Sequence, residues 1–224
     1  MKKILYFAAF VYLMASCTTA DLLPKSEVYK TIYEEKPLSI LVLPPINRST
    51  KVEAKELFYS SLSVPFASAG YYVMPPLLSM EILKEESAYD AEMFLNSSMK
   101  QVGDLFGVDA VLFTTINEWR KTSIASQISV NIDYLLKSTK TDEVLFHRTG
   151  DVTLNISVNT GSIVGNLVGS MLATSLTKEI VVARSCNIYT ISDIPAGKYS
   201  PTFGTDGEQK AQPETFNQVL KNSY

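Results

Sequence analysis

Short apolar runs ended by prolines or glycines alternate along the chain with stretches of helical periodicity. Residues 38–43 are apolar and partly β-branched, and Pro44-Pro45 follows them, which is typical of a short buried strand. Apolar residues then recur at helical spacing over 54–66, and Gly70 closes that element. A second short apolar run, 71–74, is again stopped by two prolines. This half of the chain therefore predicts strands joined by helices.

The pattern changes further along the chain. Helical spacing predicts helices over 77–86 and 99–106, and the long apolar run 108–116 predicts a central strand. Residues 124–158 mostly alternate apolar with polar, so they predict a half-buried antiparallel hairpin, with an irregularity near Thr149-Gly150. Strands linked by helices and followed by a meander predict an α/β fold: a single mixed sheet with helices packed on it.

The N-terminus has the pattern of a cleavable leader. Lys2 and Lys3 precede an apolar run, 4–15, that is too short to span a bilayer but suits a signal peptide. Small residues then precede Cys17, which resembles the lipobox of bacterial lipoprotein precursors, where the cysteine receives the lipid after cleavage. A plain secretory leader with an accidental cysteine is the alternative.

The chain then divides into four predicted segments. Residues 1–16 form the signal peptide, 17–37 a lipidated tether that lets the domain stand off the membrane, 38–194 the mixed α/β domain, and 195–224 a loosely ordered C-terminal tail. Thr18 in place of Asp resembles the sorting pattern for the outer membrane. We therefore expect a protein anchored in the outer membrane, on its periplasmic or surface face, whose only attached group is the covalent lipid on Cys17.

The net charge and the number of cysteines limit which binding partners and covalent bonds are expected. The formal net charge is −3 and no lysine or arginine cluster is present, so nucleic acid is not an expected partner. Besides Cys17 the chain has one cysteine, Cys186, so an internal disulfide framework is not expected. We interpret Cys186 as a small packed apolar residue.

The usual signatures of catalysis are missing from the sequence. The single histidine, His147, lies within a predicted strand, and no phosphate-binding loop, nucleophile elbow or Cys-x-x-Cys motif occurs. Asp109 precedes an apolar run, and Glu118 beside Arg120 is more typical of an ion pair than of a catalytic pair. We predict no catalytic residues, no metal ligands and no enzymatic activity.

A stripe of small residues stands out instead. Gly161, Gly165, Gly169 and Ala173 recur every four residues and would lie along one side of a helix. Such a stripe lets another backbone approach closely, as in membrane helix pairs. Packing on the protein's own sheet is the favoured interpretation, and self-association or membrane insertion are the alternatives.

Several blocks resemble a known family. These blocks are residues 40–50 with Pro-Pro-Ile-Asn, 58–61, 65–75 with Ala-Gly-Tyr-Tyr-Val, 105–116, 135–144 and 194–201. Together they resemble an outer-membrane lipoprotein family first noted in Neisseria. The resemblance implies a fold similar to the N-terminal domain of the Tol-system periplasmic protein, which resembles the anticodon-binding domain. The curli-secretion lipoprotein uses a related domain, and the family has no established reaction or catalytic residues.

The resemblance also implies a role. Members tend to be encoded beside a curli-secretion-like lipoprotein, which favours a non-enzymatic scaffold or assembly component of a multi-protein envelope or secretion complex. Its expected partners are the membrane, other envelope lipoproteins of that kind and, as one reading of the glycine stripe, further copies of itself. A periplasmic carrier of lipid or small ligands is the alternative, and a deep apolar pocket would favour it. A hydrolase with facing carboxylates is a third hypothesis.

Overall fold

The computed structural model describes residues 22–85, 90–122, 127–155 and 171–220, and the side chains of all of these except 171–178. The helices are α1 (Lys25–Val28), α2 (Lys30–Glu35), α3 (Ala54–Ser68), α4 (Pro76–Glu85), a 3-10 helix (Ala91–Phe94), α5 (Lys100–Phe106) and α6 (Met171–Ile191). The strands are β1 (Ser39–Val42), β2 (Ile46–Asn47), β3 (Tyr72–Val73), β4 (Ala110–Thr122), β5 (Gln127–Ser138), β6 (Val144–Asn155) and β7 (Thr215–Leu220).

The strands form one mixed sheet in the order β3-β1-β4-β5-β6-β7, with β2 also paired to β4. Strands β3, β1 and β4 are parallel, β4 to β6 form an antiparallel meander, and β7 runs parallel to β6. The predicted α/β fold with a single mixed sheet is therefore confirmed.

Helices cover both faces of the parallel part of the sheet. In β1, Ile40 and Val42 face one layer while Leu41 faces the other, and all three are fully buried. A strand enclosed on both sides needs apolar residues at every position, which explains the unbroken run in the sequence.

The two layers differ in extent. The first face packs on α2 with the preceding Tyr29, and on α3 and α6, along the whole sheet. The second face packs on α4, the 3-10 helix and α5 over β1 and the start of β4. On that second face Leu135 of β5 packs on this cluster, but the remaining residues of β5 and β6 are mostly polar and half-buried, and among the described elements no helix packs over them. This surface is referred to below as the open sheet face.

The segment before β1 differs from the expected tether. Tyr29 and Ile32 are buried in the first layer, and the backbone N–H of Ala211 donates to the carbonyl of Leu23 at 2.9 Å. A free tether is therefore wrong for residues 22–35, which belong to the packed domain. Helices α1 and α2 are too short for a visible period, so the sequence pattern did not reveal them.

The segment after Ile194 also differs from the expected loose tail. Strand β7 pairs with β6, and its Phe216 and Leu220 are buried on the same face of the sheet. Upstream, the Asp206 carboxylate accepts a hydrogen bond from the backbone N–H of Ala196 at 2.7 Å. Residues 195–220 are thus part of the domain. They are held by hydrogen bonds that could not be predicted from the polar composition of this segment.

Gly150 does not produce the irregularity that was predicted near Thr149-Gly150. Gly150 pairs in regular register with Ile132, whereas the register shift lies at Leu136-Lys137. A Cβ atom on Gly150 would lie 2.0 Å from the carbonyl oxygen of Phe216. Glycine is needed here because β7 passes directly against β6.

Candidate functional site

The predicted lipid anchor and the three glycines of the small-residue stripe lie outside the described part of the chain. This holds for Cys17 and for Gly161, Gly165 and Gly169, while Ala173 falls within α6 at a position whose side chain is not described. Lipidation at Cys17 and the role of the glycine stripe therefore stay predictions. Within the described ranges, no helix is both long enough and apolar enough to cross a bilayer.

An apolar groove open to solvent runs beside β3. It has a volume of about 710 Å³, and Val64, Ala67, Tyr72, Pro76 and Tyr199 are among the residues that line it. Tyr72 is 49% exposed and Tyr199 is 66% exposed. Exposed aromatic side chains grouped around a groove are typical of protein–protein contact surfaces. This surface is called the tyrosine groove below.

A close contact between two glycines fixes one wall of the tyrosine groove. The N–H of Gly197 donates to the carbonyl of Ala69 at 2.8 Å, and the N–H of Tyr199 donates to that of Gly70 at 2.9 Å. A Cβ atom on Gly70, whose φ is +94°, would lie 2.3 Å from the backbone nitrogen of Ser200. Both glycines are required so that the two backbones can approach, and this contact sets Tyr199 beside β3.

The floor of the groove is the edge of the sheet. The N–H groups of Tyr72 and Met74 donate to β1, to the carbonyls of Leu38 and Ile40, both at 2.9 Å. Because successive backbone groups along a strand point in opposite directions, the N–H and C=O of Val73 point away from β1. The described sheet ends at β3, so these groups face the tyrosine groove side of the strand.

A second pocket lies between α2 and the segment after Ile194. Ile32, Tyr33, Tyr71, Pro195 and Phe203 are among its lining residues, and its volume is about 70 Å³. Pockets that bind small molecules usually measure about 300–1,000 Å³. The pocket is therefore too small for a lipid or a drug-sized ligand, and it does not favour the carrier hypothesis.

His147 lies on the open sheet face between two carboxylates. Its Nε2 is 3.0 Å from Asp133 Oδ2, and its Nδ1 is 2.5 Å from Glu214 Oε1. Burial opposes a charged imidazole, but the hydrogen bonds and charges of Asp133 and Glu214 outweigh it and raise the pKa of His147 above its ordinary value. A protonated His147 thus ties the residue before β7 to the β5–β6 hairpin.

The chemistry around His147 is that of a structural tie. Both hydrogen-bond partners of the imidazole among the described residues are carboxylates, so the charges of Asp133 and Glu214 hold the protonated ring in place. The described residues include no group of three or more His, Cys, Asp or Glu side chains arranged to hold a metal ion.

The other charged candidates also have structural partners. Asp109 accepts hydrogen bonds from the N–H groups of Leu38 and Ser39, and Lys140 lies 2.9 Å away. Partial burial works against ionisation, but these donors hold the pKa of the Asp109 carboxyl below its ordinary value.

Two smaller predictions hold as well. Glu118 and Arg120 form the predicted ion pair at 3.2 Å. Cys186 is fully buried, and burial raises the pKa of its thiol.

One charged residue that sequence reasoning missed is central to the packing. The Arg148 side chain is fully buried, and its guanidinium donates to the carbonyls of Tyr189, Thr190 and Pro213. Its carbon Cζ lies 4.8 Å from the centre of the Phe216 ring. The alternation of β6 could have revealed it, because Arg148 is in phase with the inward-facing residues Phe146, Gly150 and Val152.

Residues 28–199 match the family described as "Putative lipoprotein GNA1162-like". The chain belongs to this family. The resemblance noted from the sequence blocks is thereby confirmed, and the match includes α2 to α6 together with the Gly197 and Tyr199 wall of the tyrosine groove. As members of a lipoprotein family, such proteins are expected at a membrane of the cell envelope.

Individual relatives agree with this assignment. The chain is 32% identical over 119 residues to "Putative lipoprotein NMB1124/NMB1162" of Neisseria meningitidis serogroup B, a match covering 53% of this chain and 54% of that protein. The chain thus spans about half the length of the curated relative it matches.

Among solved structures, lipoprotein GNA1162 from Neisseria meningitidis is 27% identical, covering 64% of this chain and 98% of that one with a TM-score of 0.49. The PelC dodecamer from Paraburkholderia phytofirmans is 15% identical, covering 70% and 89% with a TM-score of 0.43.

Proposed function

We propose that this protein is a non-enzymatic lipoprotein, anchored through Cys17 in the outer membrane, that serves as an assembly component of a multi-protein envelope complex. The observation that carries the proposal is the tyrosine groove along the free edge of β3. Membership of the GNA1162-like lipoprotein family supports the anchor, and the exposed tyrosines that line the groove support a role in binding another protein.

The occupant that fits the groove is an extended segment of another envelope protein. Such a segment would add a strand beside β3 and bond to the outward N–H and C=O of Val73. Its side chains would then pack against Tyr72 and Tyr199. Among the described residues that line the groove none is charged, so an uncharged, apolar or aromatic segment is the matching chemistry.

Site-specific crosslinking tests this proposal in the native envelope. A photoreactive aromatic amino acid replaces Tyr72 in the lipidated protein, and the matched control carries it at Leu105, an exposed residue of α5 on the second face of the sheet. Illumination of intact cells should give a discrete heavier adduct from position 72 and not from position 105. An adduct of twice the mass would identify a second copy of the chain as the occupant.

A second substitution tests the strand-addition geometry. Val73→Pro removes the outward N–H while leaving the hydrogen bonds of Tyr72 and Met74 to β1 in place, and proline is tolerated at such edges. The adduct should disappear in this variant, while Val73→Ala should retain it and both should unfold near the wild-type midpoint. Equal adducts from positions 72 and 105, or an adduct that survives Val73→Pro, would contradict the proposal.

A further inference from the structure

The described part of the domain begins close to Cys17, the proposed lipid-bearing residue. Only four residues separate Cys17 from Leu22, where the described structure starts. Five Cα–Cα steps span at most about 18 Å when fully extended. Strand β4, with 13 residues, is about 43 Å long by comparison. The lipid anchor therefore cannot hold the domain away from the membrane by more than a fraction of the domain's own size.

From this we infer that the end of the domain formed by Leu22, Leu23 and the adjoining loop 207–211 rests directly on the lipid surface. This end is called the membrane-facing end below. The inference rests on the lipid anchor at Cys17 that belongs to the proposed function.

Backbone hydrogen bonds fix the membrane-facing end to the rest of the fold. The N–H of Lys25 donates to the carbonyl of Gln209 at 2.8 Å, and that of Ser26 to Gly207 at 3.0 Å. Pro24 forms a β-bridge with Lys210. Because these contacts begin at Leu23, the chain cannot gain reach by peeling away at its start without breaking the contact with the C-terminal segment.

The side chains at this end suit a lipid surface. Leu22 is 41% exposed and Leu23 is 55% exposed, directly next to the anchored segment. Leucine side chains placed at the headgroup boundary gain by burial among the acyl chains. The exposed charged residues near these leucines include Glu27, Glu208 and Lys210, which carry no excess of positive charge. The contact therefore depends on apolar burial and needs no excess of anionic lipid.

The orientation that results is specific. Helix α2 packs on the first face of the sheet and α5 packs on the second, so Leu105 on α5 lies across the sheet from α2. A reporter at the membrane-facing end should sense lipid, and one at Leu105 should sense water.

Depth-dependent quenching provides the test. The lipidated full chain, with Leu23→Cys or Leu105→Cys, is labelled with an environment-sensitive dye and reconstituted in vesicles of phosphatidylethanolamine and phosphatidylglycerol. The introduced thiol is labelled selectively because Cys17 is acylated and Cys186 is buried. A nitroxide lipid should quench the dye at position 23 several-fold more than at 105, with little change when phosphatidylglycerol is omitted.

A second pair of variants carries the dye at a position other than Leu22 or Leu23, so that both leucines can be replaced. The dye is placed on Lys210→Cys, across from Pro24, with and without Leu22→Asp and Leu23→Asp. Quenching at position 210 should fall to the Leu105 level when the two leucines are replaced. Equal quenching at positions 23 and 105 would overturn the inference while leaving the anchor intact. So would quenching at position 210 that stays the same when Leu22 and Leu23 are replaced by aspartate. A protein that fails to float with the vesicles would overturn both the anchor and the orientation.

Discussion

The C-terminal strand provides the sharpest test of how the domain is held together. Phe216 is buried at the centre of the contact between β7 and the rest of the fold. Its ring meets the Tyr189 ring at 5.2 Å in a T-shaped arrangement and lies under the Arg148 guanidinium. Replacing it with alanine removes both contacts while leaving the backbone pairing of β7 to β6 possible. Phe216→Ala should therefore be strongly destabilising.

The magnitude follows from burial. A buried Phe→Ala substitution costs about 3–5 kcal/mol, including the cavity it leaves. Position at the sheet edge allows some collapse, whereas loss of the ring beneath Arg148 adds to the cost, so we expect about 4 kcal/mol. Val219 lies on the same strand, is 53% exposed, and loses only about 0.5–1 kcal/mol as Val219→Ala. The expected fall in Tm for Phe216→Ala is about 8–16 °C.

Urea denaturation, followed by the fluorescence of the single tryptophan, Trp119, measures both variants. The Phe216→Ala midpoint should fall far below that of Val219→Ala, with an unchanged dependence on urea concentration. Equal midpoints for the two variants would show that the strand is not docked against Arg148 in solution. In that case the expectation of a loosely ordered C-terminal tail would be right after all.

Three further predictions follow from the same structure. Gly70→Ala should lower the free energy of unfolding by more than about 2 kcal/mol, because its Cβ meets the Ser200 backbone. Gly107→Ala, also at positive φ but with open space around it, should lower it by about 1 kcal/mol. The urea midpoints of the two variants measure the difference. Since the pKa of His147 is raised in the fold, its stabilising effect is full below about pH 6.5 and is lost as pH rises through the folded pKa. The stability advantage of the wild type over His147→Gln should thus shrink between pH 6 and pH 9. Cys186 should react with a thiol reagent only as fast as the protein unfolds, and rapid reaction in the native state would refute its burial.

The parts of the fold that sequence reasoning predicted are those with strong local patterns. Strand β1 and the start of β4 could be predicted because enclosure on two sides demands apolar residues, and residues 40–43 and 110–113 are all apolar. The end of α5 could be predicted because Gly107 adopts a left-handed conformation there. In each case the decisive physical constraint acts over a few neighbouring residues.

The parts that were missed depend on distant contacts. Asn217 and Gln218 make β7 look polar, and only the approach of Arg148 and β6 turns it into a strand. The tyrosine groove could not be predicted for the same reason. Tyr72 and Tyr199 lie far apart in the chain, and the Gly70 contact that joins their segments is visible only in three dimensions.

The hydrogen bond between Ala211 and Leu23 also bears on the order in which the domain assembles. Contacts between residues this far apart form late, because a long loop must close before they add stability. When the chain is exported from its N-terminus, we therefore expect residues 22–35 to dock on residues 206–220 only after the meander between them has folded. During that interval the C-terminal segment does not yet cover the apolar side chains of Leu22, Leu23, Tyr29 and Ile32. A lipid surface beside the anchor would keep these side chains out of water until β7 pairs with β6.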